Sequence, residues 1–127
     1  MAYKKKIKKA KRRVDVATVC VSSSFNNTVV SVTTVEGDVL LRGSSGALGF
    51  KGARKGTPFA ASQIVTHLSK EMVVLGIRTV SINLKGPGAG RDSVIRALKA
   101  SGFGISMLRD VTPLPHNGTR PPKKRRV

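Results

Sequence analysis

The chain has 127 residues, of which 24 are Lys or Arg and six are Asp or Glu, so its formal net charge is +18 at pH 7. This length suits one compact domain. The single cysteine, Cys20, excludes an intramolecular disulfide and leaves a cysteine-based metal cluster without partner thiolates. No apolar run approaches the roughly 20 residues of a membrane-spanning helix, and the basic start lacks the apolar core of a signal peptide. We therefore expect an intracellular protein without a metal, a cofactor or a membrane partner.

The excess positive charge is concentrated at the two ends of the chain. Eight Lys or Arg residues fall within residues 1–13 and five within residues 113–127, and neither stretch contains an acid. Stretches so dense in like charge repel themselves and need a polyanion to neutralise them, and nucleic acid is the most abundant one. The sequence predicts a basic N-terminal extension over 1–13, a folded body over 14–112 and an extended, proline-rich basic tail over 113–127.

The first half of the body has the pattern of an antiparallel meander. Alternating valines predict a strand over residues 14–21, and a run of β-branched residues predicts a second strand over 28–35. A polar break over 22–27 separates the two. A hairpin connection over 36–38 leads into a short third strand over 39–42.

The second half alternates between helices and strands. Residues 43–56 are too glycine-rich for a regular element, and Thr57 followed by Pro58 predicts the start of a helix that ends near residue 75. The predicted elements after that helix are a strand over 77–84, a helix capped by Asp92 or Ser93 and ended by Gly102, and a strand over 103–111. Right-handed crossovers between strands favour parallel pairing, so we predict an α/β fold with a mixed five-stranded sheet and two helices.

The residues that carry catalysis in other proteins are few and dispersed here. The six acids are scattered over turns, caps and strand ends, at Asp15, Glu36, Asp38, Glu71, Asp92 and Asp110. His67 is predicted to lie on a helix surface, and His116 lies in the tail. No serine, cysteine or lysine has an evident base beside it. The sequence therefore does not indicate an enzyme.

Residues 85–91, KGPGAGR, join a predicted strand to a predicted helix start. Free backbone N–H groups and the positive end of a helix dipole favour a phosphate at such a place. The segment matches neither a P-loop nor a dinucleotide-binding fingerprint, because Arg91-Asp92 replaces the required Lys-Ser/Thr and the third glycine comes too early. A nucleotide-dependent enzyme site over 85–93 and a plain tight connection are alternatives, and contact with a polynucleotide backbone is preferred.

Two other segments carry groups that suit nucleic-acid binding. Residues 43–56 hold five glycines, three cations and Phe50, which either stacks on a base or packs against the body. The serines and asparagines of residues 22–27 either bond phosphate, sugar and base edges or close their own turn. Because the chain has four Phe, one Tyr and no Trp, recognition through phosphate, 2′-hydroxyl and shape is favoured over stacking.

A DNA-binding architectural protein is the main alternative to an RNA-binding one. Such a protein needs apolar wedges or a dimer interface, and neither is visible in this sequence. We also do not expect a homo-oligomer.

The dipeptide Asn117-Gly118 has its own chemistry. In a flexible tail, the backbone nitrogen that follows Asn attacks the side-chain amide and gives a succinimide, which hydrolyses to aspartate or isoaspartate. Asn117 is therefore a candidate modification site.

Several segments together resemble the small-subunit ribosomal protein eleven family, of bacterial or plastid type. The motifs that carry this resemblance are SFNNT (24–28), GARKGTPFAA (52–61), KGPGAGR (85–91), IRAL (95–98), DVTPLPHNG (110–118) and RPPKKRRV (120–127). The matching segments run in unbroken order from about residue 14 to 127. Residues 1–13 are similar to the family only in being basic, and Thr119 stands where members usually carry cysteine.

The resemblance implies a three-layer α/β fold of ribonuclease-H-like topology that has no catalytic activity. It implies a structural protein on the platform of the small ribosomal subunit, which bridges rRNA helices and helps to form the messenger-exit (Shine–Dalgarno) cleft. The implied partners are small-subunit rRNA, the small-subunit proteins numbered seven, eighteen and twenty-one, and nearby messenger RNA. The implied location is a ribosome in the bacterial cytoplasm or inside a plastid.

The resemblance also implies which residues contact rRNA. These lie in the polar turn, the two glycine-rich loops and the C-terminal tail, at Asn26, Asn27, Lys51, Arg54, Lys55, Lys85, Gly86, Gly88, Arg91, Arg120, Lys123, Lys124, Arg125 and Arg126.

Overall fold

The computed structural model describes residues 15–126, so the predicted N-terminal extension over 1–13 lies outside the described residues. Two short 3₁₀ turns, Gly46–Leu48 and Gly52–Gly56, occupy the first glycine-rich loop. The helices and strands follow in the predicted order, as β1 (Val16–Ser23), β2 (Thr28–Thr33), β3 (Val39–Ser44), α1 (Pro58–Val74), β4 (Thr79–Lys85), α2 (Gly90–Ala100) and β5 (Gly104–Asp110).

The strands form one mixed five-stranded sheet in the order β3-β2-β1-β4-β5. β1 pairs with β2, and β2 with β3, in antiparallel register, as the hairpin signals predict. β1 pairs with β4, and β4 with β5, in parallel register, because the helical crossovers return the chain in the same direction. The predicted mixed sheet with two helices is confirmed.

Both helices pack on one face of the sheet. The buried side chains of β1 and β4 are alternate residues such as Val19 and Ile82, and they share one core with Ile64 of α1 and Leu98 of α2. The other face carries Cys20 and Val29 beside polar side chains such as Ser81, and neither helix of the described residues covers it. The expected three layers are therefore wrong for residues 15–126, which form two.

The two helices begin in different ways. Thr57 caps α1 as predicted, since its hydroxyl accepts the N–H of Ala60 at 3.3 Å, and Pro58 occupies the first turn. The predicted cap of α2 at Asp92 or Ser93 is wrong, because the helix already begins at Gly90 and has no side-chain cap. Asp92 lies in the first turn instead, where its charge is favourable to the helix dipole.

The three loops that the sequence singled out for nucleic-acid contact emerge at the same edge of the sheet. Strands β1, β3, β4 and β5 run in the same direction, so their carboxyl ends lie together at this edge, and both helices start there. We call it the carboxyl edge. The turn between β2 and β3, the end of α1 and the end of α2 lie at the opposite edge. The topology therefore gathers residues 24–27, 45–57 and 86–89 into one surface.

At the carboxyl edge, two glycine-bearing loops pack on the turn between β1 and β2, residues 24–27. Gly88 is buried and donates its N–H to the carbonyl of Ser23 at 2.9 Å, and a Cβ at Gly88 would overlap the Ser23 hydroxyl. From the other loop, a Cβ at Gly56 would overlap the carbonyl oxygen of Phe25. These glycines allow the two loops to pack closely on the turn. The rRNA contact expected of Gly86 and Gly88 stays a prediction.

Replacement of Gly88 by alanine tests this packing. The added Cβ would meet Ser23 and the carbonyl of Ser24, so we expect Gly88→Ala to lower the free energy of unfolding by about 1–3 kcal/mol. Urea unfolding followed by circular dichroism measures the loss. Gly46→Ala is the matched control, since its Cβ would meet nothing closer than the flexible Lys55 side chain at 3.8 Å. Equal stability of the two variants would contradict the packing role.

Candidate nucleic-acid interface

The turn over residues 24–27 is closed by its own polar groups. The Ser24 N–H donates to the Asn27 carbonyl at 2.8 Å, and the Asn27 N–H donates to the Ser24 hydroxyl at 3.1 Å. The Asn27 side-chain oxygen accepts the N–H of Thr28 at 2.8 Å. The turn therefore satisfies its own hydrogen-bonding groups, as one reading of the sequence predicts. Of the two predicted contact residues, Asn27 already makes hydrogen bonds within the turn, and Asn26 is exposed.

The loop over residues 45–57 is held from the inside and presents its charge on the outside. The buried Ser45 donates its hydroxyl hydrogen to the carbonyl of Lys55 at 2.7 Å, which ties the two ends of the loop together. Lys51 and Arg54 are exposed, and Lys55 is partly exposed. Three predicted contact residues thus lie on a loop whose backbone is fixed by hydrogen bonds.

Phe50 has a partner inside the protein. Its ring meets the ring of Phe59 edge to face, with centroids 6.1 Å apart and an interplanar angle of 77°. This is the favourable geometry for two aromatic quadrupoles. Of the two readings that the sequence leaves open for Phe50, the structure bears out packing against the body.

The loop over residues 85–91 divides its predicted contact residues into two kinds. Lys85 is exposed, and its ammonium group makes no ion pair within residues 15–126. Arg91 is bound inside the protein, since its guanidinium donates to the carbonyl of Gly86 at 3.2 Å and to the Asp110 carboxylate at 2.7 Å. With 28% of its side chain exposed, Arg91 acts first as a brace of this loop.

Asp110 is the centre of a clip between the loop over 85–91 and the start of the tail. Its carboxylate accepts the backbone N–H of Thr112 at 3.0 Å and the Thr112 hydroxyl at 2.6 Å, besides the guanidinium of Arg91. The Thr112 hydroxyl oxygen in turn accepts the N–H of Gly86 at 3.0 Å. We call these four residues the tail clip, and it fixes the point at which the tail leaves the body.

Sequence reasoning treated Asp110 as one scattered acid and did not single out Thr112. An available signal was the Asp-x-Thr spacing at the end of the last strand, since an aspartate commonly accepts the N–H two residues further on. The partner Arg91 lies 19 residues away, so only the paired strands bring it near.

The tail beyond the clip carries the remaining predicted contact residues. Residues 113–126 are exposed and form no helix or strand. The guanidinium of Arg120 donates to the carbonyl of Lys124 at 2.8 Å, so one predicted cation is partly held within the tail itself. Asn117 has a positive φ of 58°, a left-handed conformation that Asn tolerates better than most residues. The exposed cations of the tail are Lys123, Lys124, Arg125 and Arg126.

Charge is unevenly divided between the two edges of the sheet. No cation of the carboxyl edge other than Arg91 forms an ion pair within residues 15–126. Four of the six acids belong to the opposite edge: Asp15, Glu36, Asp38 and Glu71. The N-termini of α1 and α2 add the positive ends of two helix dipoles to the carboxyl edge. The result is a positive surface that attracts a polyanion.

The described part of the chain has neither a cluster of metal-ligating side chains nor a membrane-spanning helix. Within residues 15–126, no three or more His, Cys, Asp or Glu side chains form a group that could hold a metal ion. Neither helix described there has the length and apolar character needed to cross a membrane. His67 is exposed on α1, as predicted.

The tail clip predicts an acid-sensitive contribution to stability. The hydroxyl of Thr112, its backbone N–H and then the Arg91 guanidinium favour the charged carboxylate and lower the pKa of Asp110 from 3.8 to about 2. Because the pKa is depressed on folding, this stabilisation is complete above about pH 4 and is lost as the pH falls towards 2. Urea unfolding should show Asp110→Asn to be less stable than wild type at pH 6, with a difference that shrinks below pH 4. A difference that is constant from pH 6 to pH 2 would contradict the assignment.

Comparison with known proteins identifies the family of the chain. A family model described as "Ribosomal protein S11" matches residues 17–126. The chain is also similar to the small ribosomal subunit protein uS11c of Mesostigma viride, with 50% identity over 121 residues that cover 95% of this chain and 93% of that protein. The matched span includes both helices, all three loops of the carboxyl edge and the tail. The resemblance noted in the sequence is thereby confirmed, and the chain belongs to the ribosomal protein S11 family.

Proposed function

We propose that this chain is a non-enzymatic structural protein of the small ribosomal subunit that binds small-subunit rRNA through its carboxyl edge and its tails. We place it on the platform of the subunit, where it bridges rRNA helices and borders the messenger-exit cleft. The single observation that carries the proposal is the convergence of loops from three parts of the sequence on one edge of the sheet, with their cations exposed there.

The loop cations suit a folded phosphate backbone. Lys51, Arg54, Lys55 and Lys85 lie on loops whose backbones are already fixed by hydrogen bonds and close packing, so little conformational entropy is lost on binding. Each cation that replaces a counterion of the RNA adds to affinity at low salt. The rigid loops also suit recognition of RNA shape, which single-stranded binding would not require.

The tail supplies a second contact, in which the cations lie on a segment without regular structure. Residues 113–126 carry Arg120 and four further cations without a helix or strand to restrain them. The tail clip starts this segment beside the loop over 85–91, and from there the tail can follow a neighbouring RNA helix. A rigid basic edge joined to an extended basic tail suits a protein that bridges two RNA segments.

The remaining parts of the proposal follow from the family. The strand order β3-β2-β1-β4-β5 supports a ribonuclease-H-like topology, and the dispersed carboxylates support the absence of catalysis. We propose the small-subunit proteins seven, eighteen and twenty-one as neighbours, with messenger RNA nearby. The proposed compartment is the bacterial cytoplasm or the interior of a plastid.

We also retain Asn117 as a candidate for isoaspartate formation. It is exposed, precedes Gly118 and lies in the tail, where the backbone nitrogen of the glycine has room to attack the side-chain amide. Mass spectrometry with electron-based fragmentation of protein from ribosomes should detect isoaspartate at position 117. Only intact asparagine in aged and fresh samples would remove this proposal.

The salt dependence of rRNA binding tests the carboxyl edge. We expect Lys51→Ala to weaken binding to a transcribed small-subunit rRNA domain and to flatten the slope of log K against log salt by about 1. Lys99→Ala is the matched control, since Lys99 is exposed at the end of α2 on the opposite edge, and its slope should equal that of wild type.

Two results would contradict the proposed function. Equal slopes for Lys51→Ala and Lys99→Ala would show that the carboxyl edge is not the contact surface. Displacement of the rRNA by duplex DNA at equal phosphate concentration would favour a DNA-binding protein instead.

Co-sedimentation gives an independent test. The intact protein should stay with small subunits isolated from cells after they are washed at high salt.

A further inference from the structure

We infer that Phe25 stacks on an unpaired base of the bound RNA, an inference that rests on the proposed rRNA binding. Phe25 stands at the tip of the turn over residues 24–27 and is 77% exposed. The other three phenylalanines each contact the protein itself. Phe103 is only 6% exposed in the core, and the ring of Phe50 meets edge to face the ring of Phe59, which is 63% exposed. Phe25 thus presents an aromatic face to solvent at the centre of the carboxyl edge.

The exposure of Phe25 is imposed by a rigid backbone. The turn is closed by hydrogen bonds between Ser24 and Asn27. Gly56 and Gly88 pack against it on either side, so closely that a Cβ at either position would overlap an oxygen atom of the turn or of Ser23. The turn therefore cannot fold its tip inward without displacing two loops. The backbone of the turn is therefore already ordered, so binding at its tip costs little backbone entropy.

Charge favours a nucleic-acid base over an apolar protein pocket as the occupant. Gly56, which touches Phe25, follows Arg54 and Lys55, and Gly88 belongs to the loop that begins with Lys85. Residues 22–28, 51–57 and 85–91 contain five Lys or Arg and no Asp or Glu. Phosphates that lie on these cations would bring their own bases to the ring between them.

The neighbouring Asn26 supports the same occupant. It is exposed beside the ring and offers an amide donor and acceptor that suit the edge of a base. Bases inside an A-form helix have their faces covered by their neighbours, so the target is a base in a bulge, loop or junction. Stacking reads no particular sequence, and the contact therefore fixes the position of the protein at such an irregular site.

The affinity of Phe25 variants for rRNA tests stacking directly. We expect Phe25→Ala to weaken binding to the same transcribed rRNA domain by roughly 5- to 100-fold, because stacking on an aromatic is worth about 1–3 kcal/mol per base. Phe25→Tyr should bind like wild type, since it keeps the aromatic face. The salt slope should be unchanged in Phe25→Ala, because no charge is lost. Val35→Ala is the matched control, an apolar side chain 74% exposed in the turn at the opposite edge.

Fluorescence gives a second readout that reports the ring itself. The chain contains no tryptophan, so Phe25→Trp creates a single reporter at the tip of the turn. Contact with a base should quench this fluorescence on addition of the rRNA domain, whereas Val35→Trp should keep its intensity.

The outcomes separate this inference from the proposed function. If wild type binds the rRNA domain but Phe25→Ala binds equally well and Phe25→Trp is not quenched, stacking is overturned. The exposed ring would then suit contact with a protein partner instead of a base. A loss of affinity that comes with a changed salt slope would also overturn it, because the turn itself would then have moved. If wild type does not bind the rRNA domain, the proposed function falls, and the inference falls with it.

Discussion

The close approach of backbone to backbone at the carboxyl edge is the contact on which the rest of the surface depends. Gly88 is buried against Ser23, and Gly56 lies against the carbonyl of Phe25, so two loops far apart in the sequence meet on one four-residue turn. A side chain at either glycine would separate the loops by the size of a methyl group. The positions of the exposed cations and of Phe25 follow from this packing.

The positive surface has a rigid part and an unrestrained part. The loops hold their cations on a backbone fixed by hydrogen bonds, and the tail carries its cations on a segment without regular structure. The tail clip joins the two, since Asp110 and Arg91 tie the last strand to the loop that starts α2. A negative side chain in a basic surface would ordinarily weaken RNA binding. Here Asp110 is neutralised by Arg91 and serves to orient the tail.

The uneven division of acids between the two edges also makes the carboxyl edge the more positive one. Four of the six acids lie at the opposite edge, and of the two at the carboxyl edge Asp110 is paired with Arg91 and Asp92 lies in the first turn of α2. Steering of a polyanion then favours one orientation of the protein over the others. Under the proposed bridging of RNA helices this orientation matters, because each loop would have to meet its own segment of backbone.

The sequence by itself determined the elements, their order, the mixed sheet and the cap of α1, because these depend on local patterns such as the alternation of valines in β1 and the pair Thr57-Pro58. It also indicated the basic loops and, through the motifs, the family. Tertiary structure alone decided the start of α2 at Gly90, the internal role of Arg91 and the use of glycine for packing. The role of Arg91 and the packing of the glycines depend on partners far away in the chain, Asp110 and Ser23, whose proximity is set by the tertiary fold and is absent from any local pattern.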